Sequence, residues 1–293
     1  MNRRDFLVRS TATVVAGCLS APLAEAKSLP RRIAVVDLMI LKRQKLSAFD
    51  LTHEIGADGL ELDMGGLGNR ETFDNKLADP AIRQLFAEKA RELNISICSL
   101  AMTGFYAQSF ATRPTWKRMI QDCLDTAKAL NVKVVFLPLG VQGDLLQHPE
   151  LRPAIVGRLR EAGKMAKQAG VVIGIETALD ARGEVALLQE IGSKHVQIYF
   201  NFSNPLKAGR DLHAELRILG RKRICQIHCT DEDGVLLENN TRLDMRKVRD
   251  TLDDLGWQGW LVIERSRDAN DPRNVKKNFG ANTRFLKSVF QPA

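Results

Sequence analysis

Histidine and tyrosine are scarce in this sequence, with five and two residues among 293. A site built on several zinc ions needs a cluster of imidazoles, and His53, His148, His195 and His213 all lie away from the C-terminal ends of the apolar runs. No apolar run reaches the roughly 20 residues that cross a bilayer, so no membrane span is expected. There is also no block of like charge. The 43 basic and 35 acidic residues are interspersed, and the formal charge of +8 reads as a solvated basic surface, not a nucleic-acid footprint. Cysteine is sparse and widely spaced, which argues for buried thiols over a disulfide framework. Cys225 and Cys229 stand four apart on one strand pattern, about 13 Å at strand rise, too far to bridge each other. No repeat, linker or low-complexity segment divides the chain after its first residues.

Those first residues read MNRRDFLVRSTATVVAGCLSAPLAEAK. Arg3 and Arg4, a weakly apolar stretch and Ala24-Glu25-Ala26 have the form of a twin-arginine export signal with an A-x-A cleavage site. The expected division is a signal peptide over 1–26 and one domain over 27–293, with a periplasmic destination. Val15-Ala16-Gly17-Cys18 also fits a lipoprotein cleavage box, which gives an alternative lipid-anchored form at Cys18.

From Arg31 onward, short apolar runs alternate with longer amphipathic ones. The strand candidates are RIAVVDL, GLELDM, ISICSLA, VKVVFLPL, VVIGIET, HVQIYFN, ICQIHCT and GWLVIER. Helical patterns such as PAIRQLFAEKAREL and WKRMIQDCLDTAKAL lie between them, and Asn131, Gly170 and Gly256 suit left-handed helix ends. Eight such units in about 260 residues predict a single α/β domain, a (β/α)8 TIM barrel. Alternate strand residues then face the barrel interior or the helices. This puts Leu60, Leu62, Ile173, Ile175, Ile198, Phe200, Cys225, Ile227, Cys229, Leu261 and Ile263 outward. It puts Glu61, Asp63, Gly174, Glu176, Tyr199, Asn201, Gln226, His228 and Glu264 inward.

Glu176, Asn201, His228 and Glu264 are the last inward residues of four consecutive strands, so they form an arc at the catalytic end of the barrel. Two carboxylates, an imidazole and an amide oxygen make a hard-to-borderline site for one divalent metal ion. Asn204 follows three residues after Asn201. Phe105 and Tyr106 lie in the loop MTGFYAQSFATRPTW, where aromatic faces could stack on a sugar ring or simply pack the loop. Glu61 and Asp63 could hydrogen-bond substrate hydroxyls or pair with arginines, and Arg265 could meet an anionic group.

These stretches resemble the xylose-isomerase-like barrels, in their sugar isomerase/epimerase branch. The resemblance covers the chain from residue 27 onward and is most specific in VVIGIET, YFNFSNP, QIHCTD and GWQGWLVIERS. It implies a metal, Mn, Mg or Co with Zn as a further choice, held by Glu176, His228 and Glu264. Asn201 stands where the family has aspartate. The ligand set would then be neutral overall, which predicts a retained but weaker metal site. The family's chemistry implies Glu176 and Glu264 as the pair that removes and returns a proton next to a carbonyl, through a metal-stabilised enediolate. Thr230 and Arg182 depart from the family pattern and loosen the match to the ketose epimerases. The expected partner is a small carbohydrate, with self-association left open. Two other functions compete: a lyase that eliminates an aglycone from a 3-keto glycoside, and a barrel that has lost catalysis and only binds sugar. Apurinic endonucleases share the fold but need more histidines than this chain brings to its strand ends.

Overall fold

The computed structural model describes residues 31–291; the twin-arginine segment, the Cys18 box and the proposed cleavage site lie outside the described residues. Eight parallel strands close into a barrel in sequence order. They are β1 (Arg32–Val36), β2 (Gly59–Asp63), β3 (Ser96–Ala101), β4 (Val134–Pro138), β5 (Val172–Glu176), β6 (Val196–Asn201), β7 (Ile224–His228) and β8 (Trp260–Ile263). The main helices that follow them are α1 (Ser47–Glu54), α2 (Pro80–Glu92), α3 (Trp116–Ala129), α4 (Arg152–Ala169), α5 (Ala181–Ile191), α6 (Leu212–Leu219), α7 (Met245–Asp254) and α8 (Val275–Phe290). Closure comes from β1 pairing with β8, Ile33 opposite Leu261 and Val35 opposite Ile263.

Local chemistry sets the helix ends. The side chains of Asp79, Asp180, Asp211 and Asp244 accept from the first free backbone N–H groups of α2, α5, α6 and α7. Gly170 and Gly192 close α4 and α5 with φ near +68°, where a side chain would strain the backbone. Asn131 and Gly256 are also left-handed, as their places after helical runs predict.

The two-residue alternation sorts the core into two layers. Val35, Leu60, Leu62, Ile173, Ile175, Ile198, Phe200, Ile227, Leu261 and Ile263 belong to the larger cluster, between barrel and helices. Ala34, Val36, Phe136, Tyr199 and Val262 fill the barrel interior. One expected outward residue departs from the pattern. Cys225 packs with the interior cluster, because the β6–β7 register jumps from Ile198–Ile224 to Tyr199–Gln226 and leaves Cys225 unpaired at a bulge. Cys98, Cys123, Cys225 and Cys229 are all free thiols.

The interior leaves no room beside Gly174. A Cβ there would stand 2.6 Å from Cys225 Sγ and 3.0 Å from Tyr199 Cβ. Gly174→Ala is therefore expected to destabilise the fold by about 1–3 kcal/mol through overpacking. The check is the urea midpoint, and an unchanged midpoint would show that the layer relaxes freely.

Candidate active site

The C-terminal ends of the strands open on a cavity of ≈ 620 Å³, inside the range of about 300–1,000 Å³ usual for small-molecule sites. Its floor carries Glu176 at the end of β5, Asn201 at the end of β6 and Glu264 one residue past β8. Asn204, Tyr106 and Arg265 also line it. Strand parity aims the floor residues inward, and the strand ends lift them to one level.

Asn201 joins the two carboxylates. Its Nδ2 donates to Glu176 Oε1 at 3.3 Å and to Glu264 Oε2 at 3.2 Å. Its Oδ1 accepts from the backbone N–H of Ser203 at 3.0 Å, an Asx turn that opens the one-turn helix Ser203–Lys207. That backbone contact fixes the amide's orientation. A main-chain N–H can only donate, so the atom facing it is the oxygen, and the NH2 faces the carboxylates.

His228 lies beneath this floor, 1% exposed, between the rings of Phe136 and Tyr199 at 4.8 and 4.4 Å. Its two ring nitrogens face Glu176 Oε2 and Glu61 Oε1, each at 3.3 Å. Burial opposes a charged imidazole, but Glu264, Glu176 and Glu61 outweigh it and hold its pKa well above the ordinary value. Burial alone would raise the pKa of Glu61, but the contacts from His228, Ser99 and Tyr199 bring it below the usual range. Desolvation lifts the carboxyl of Glu264, and the neighbouring Glu176 charge adds to this against the opposing pull of His228. Tyr106 donates to Glu176 Oε2 at 3.3 Å, and desolvation with the Glu176 charge keeps its hydroxyl protonated.

The donor set does not fit the metal centre that the sequence led us to expect. Among the described residues, no group of three or more His, Cys, Asp and Glu side chains is arranged to hold a metal ion. Asn201 presents hydrogens, not a lone pair, to the point where the carboxylates meet. Both nitrogens of His228 are taken up by carboxylates. The sequence offered Asn201 as an oxygen ligand in a retained, weaker site; here the Asx turn engages that oxygen with the backbone N–H of Ser203.

Several other expected contacts fall outside the cavity. Glu61 sits one layer deeper, accepting from Ser99 and Tyr199 at 2.7 Å and facing His228, and it does not line the cavity. Asp63 is covered by Arg43 and Thr103, which line the cavity in its place. Its pKa is pushed up to about 6, chiefly by burial. Phe105 is wholly buried, packs edge-to-face on Phe73 and Phe110, and does not line the cavity. Arg43, Thr103, Gly140, Val141, Asp144, Leu145 and Lys207 also line the cavity, and nothing in the sequence singles them out. They come from loops and single helical turns, too short for a periodicity to mark them.

A closed parallel barrel with paired carboxylates at the C-terminal mouth defines a class of small-molecule sites, and the sequence match agrees with it. The chain belongs to the xylose isomerase-like TIM barrel family, whose profile matches residues 49–289. It is 26% identical over 179 residues to the 2-epi-5-epi-valiolone 7-phosphate 2-epimerase of Actinoplanes sp.; the match covers 58% of this chain and 63% of that relative. Among solved structures it resembles the 3-keto-D-glucoside 4-epimerase of E. coli, with a TM-score of 0.71 and 18% identity over 88% of this chain and 99% of that one. It also resembles the D-psicose 3-epimerase of Clostridium cellulolyticum in its complex with D-tagatose, with a TM-score of 0.72 and 14% identity over 88% and 99%. At these identities the structural likeness is one of fold.

Proposed function

We propose that the protein is a sugar or sugar-derivative epimerase or isomerase that moves a proton on the carbon next to a carbonyl. The observation that carries this reading is the pair of carboxylates, Glu176 and Glu264, that meet at the floor of one cavity. One removes the proton and the other returns one, which is the work general acid–base catalysis asks of two such groups. The enolate oxygen that forms needs donors. Tyr106 and Asn204 hold Glu176 through long contacts of 3.3 and 3.5 Å and are placed to turn toward a substrate oxygen. Relatives named as epimerases of keto sugars and of a cyclitol phosphate support the substrate class.

The test is solvent exchange. Incubated in D2O with D-psicose, D-tagatose or a 3-keto-D-glucoside, the protein should place deuterium on the carbon beside the carbonyl, read by NMR. Binding of these sugars with no exchange would leave a carbohydrate-binding barrel in place of an enzyme. A lyase reading has one observation in its favour: Leu38, Met39, Leu139, Val141 and Leu145 give the cavity an apolar wall, with Val141 71% exposed. Such a wall suits an aglycone, and release of aglycone alongside exchange would select it. We read residues 1–26 as the twin-arginine signal of an exported barrel. N-terminal sequencing of the periplasmic protein should start at Lys27; a start at Met1, or a chain blocked at Cys18, would overturn that reading.

A further inference from the structure

We infer that the Asn201 side-chain amide takes the place of the cation in this site, so that the native pocket is closed to a divalent ion and the single change Asn201→Asp opens it. The inference takes Glu176 and Glu264 as the working pair, as proposed above.

The point shared by Glu176 Oε1 and Glu264 Oε2 is occupied by Asn201 Nδ2, which gives one hydrogen to each. Two carboxylates facing each other at the bottom of a pocket repel, and a shared proton, a cation or a donated hydrogen between them relieves the repulsion. Here the positive end of an amide dipole does so without a metal. To become a ligand, Asn201 must turn its amide over. That places its NH2 against the Ser203 N–H, donor against donor, and breaks the 3.0 Å bond of the Asx turn. Asn201 is 4% exposed, so water cannot replace the lost partner at no cost. Leaving a buried donor unsatisfied weakens metal binding by about 10- to 100-fold. Aspartate has no such conflict, because both of its terminal atoms are oxygens. One can keep the bond to Ser203 while the other faces the carboxylates, and three carboxylates then require a cation.

The test is a titration of the full-length chain with MnCl2 followed by desalting, with bound manganese read by elemental analysis and calorimetry. The native protein should retain well below one ion per chain. Asn201→Asp should retain about one and bind at least 10-fold more tightly. Asn201→Ala guards against a variant that fails to fold. If the amide blocks the site, its removal leaves manganese binding equal to or stronger than that of the native chain. If the amide is a ligand, its removal weakens binding. One tightly held ion in the native protein, a loss of binding in Asn201→Ala, or no gain in a folded Asn201→Asp would each overturn the inference. None of these readouts depends on turnover, so a protein that binds no metal and exchanges no proton would remove the epimerase reading and leave this one standing.

Discussion

Glu176→Gln is expected to lower net epimerisation by about 10²- to 10⁴-fold, the usual worth of a positioned general base. The substitution keeps the volume and removes the basic oxygen pair that now accepts from Tyr106, Asn201 and Asn204. Glu264→Gln should be as severe for net epimerisation. The two variants should differ when each epimer is offered separately. The remaining carboxylate can still lift the proton on its own side of the substrate, so each variant keeps exchange from one epimer and loses it from the other. That crossed pattern is the signature of two bases working from opposite sides. If both variants lose exchange from the same epimer, a single carboxylate does the proton work and the other only binds. If neither loses it, the pair is not the catalytic machinery. Circular dichroism of both variants separates loss of chemistry from loss of fold.

The architecture was open to reading because a parallel barrel repeats one pattern eight times. Period-two alternation put Glu176, Asn201, His228 and Glu264 on the inner face, and each stands where its strand runs out. Parity gives the face but not the depth. Glu61 has the right face, yet it lies two residues below the end of β2 and meets His228 beneath the cavity floor. A single inserted residue also defeats parity locally, as at Cys225, and nothing in the sequence ICQIHCT announces the bulge. Phe105 shows a different limit. Neighbouring aromatics in a loop point opposite ways, so Tyr106 reaches Glu176 while Phe105 enters the core. Asn201 shows the sharpest one. Its identity was evident, and an amide has an oxygen to offer, but which end it offers is decided by the backbone N–H of Ser203. That contact exists only once the chain turns after β6.

The second large effect is on stability, at a carboxyl behind the cavity wall. Glu184 on α5 is 3% exposed and accepts from the Thr177 hydroxyl at 2.8 Å, while its other oxygen is buried without a partner. Burial, with smaller contributions from Glu215 and Glu176 and against the pull of Arg210, pushes its pKa from 4.5 up to about 8. The sign follows from proton counting. Below about pH 4.5 the folded and unfolded states both hold the proton, and Glu184 has no pH-linked effect. Above that value the unfolded chain releases it while the folded chain keeps it until about pH 8. Stability then falls through the window by about 1.4 kcal/mol per pH unit, or on the order of 3 kcal/mol by pH 7. Glu184→Gln mimics the protonated form at every pH and should remove this slope. Asp37 and Asp63 also have raised pKa values and add slopes of the same sign, so the native curve alone cannot assign the effect. The difference between native and Glu184→Gln chains in urea unfolding at pH 5, 6.5 and 8 isolates it. The variant should gain little at pH 5 and most at pH 8; equal slopes would show that Glu184 ionises in place, with the wall opening to hydrate it. Thr177 follows Glu176 directly, and its carbonyl accepts from Asn204 at 2.9 Å. A neutral Glu184 therefore keeps a second negative charge away from Glu176, at the cost of a fold that weakens as the pH rises from about 4.5 to about 8.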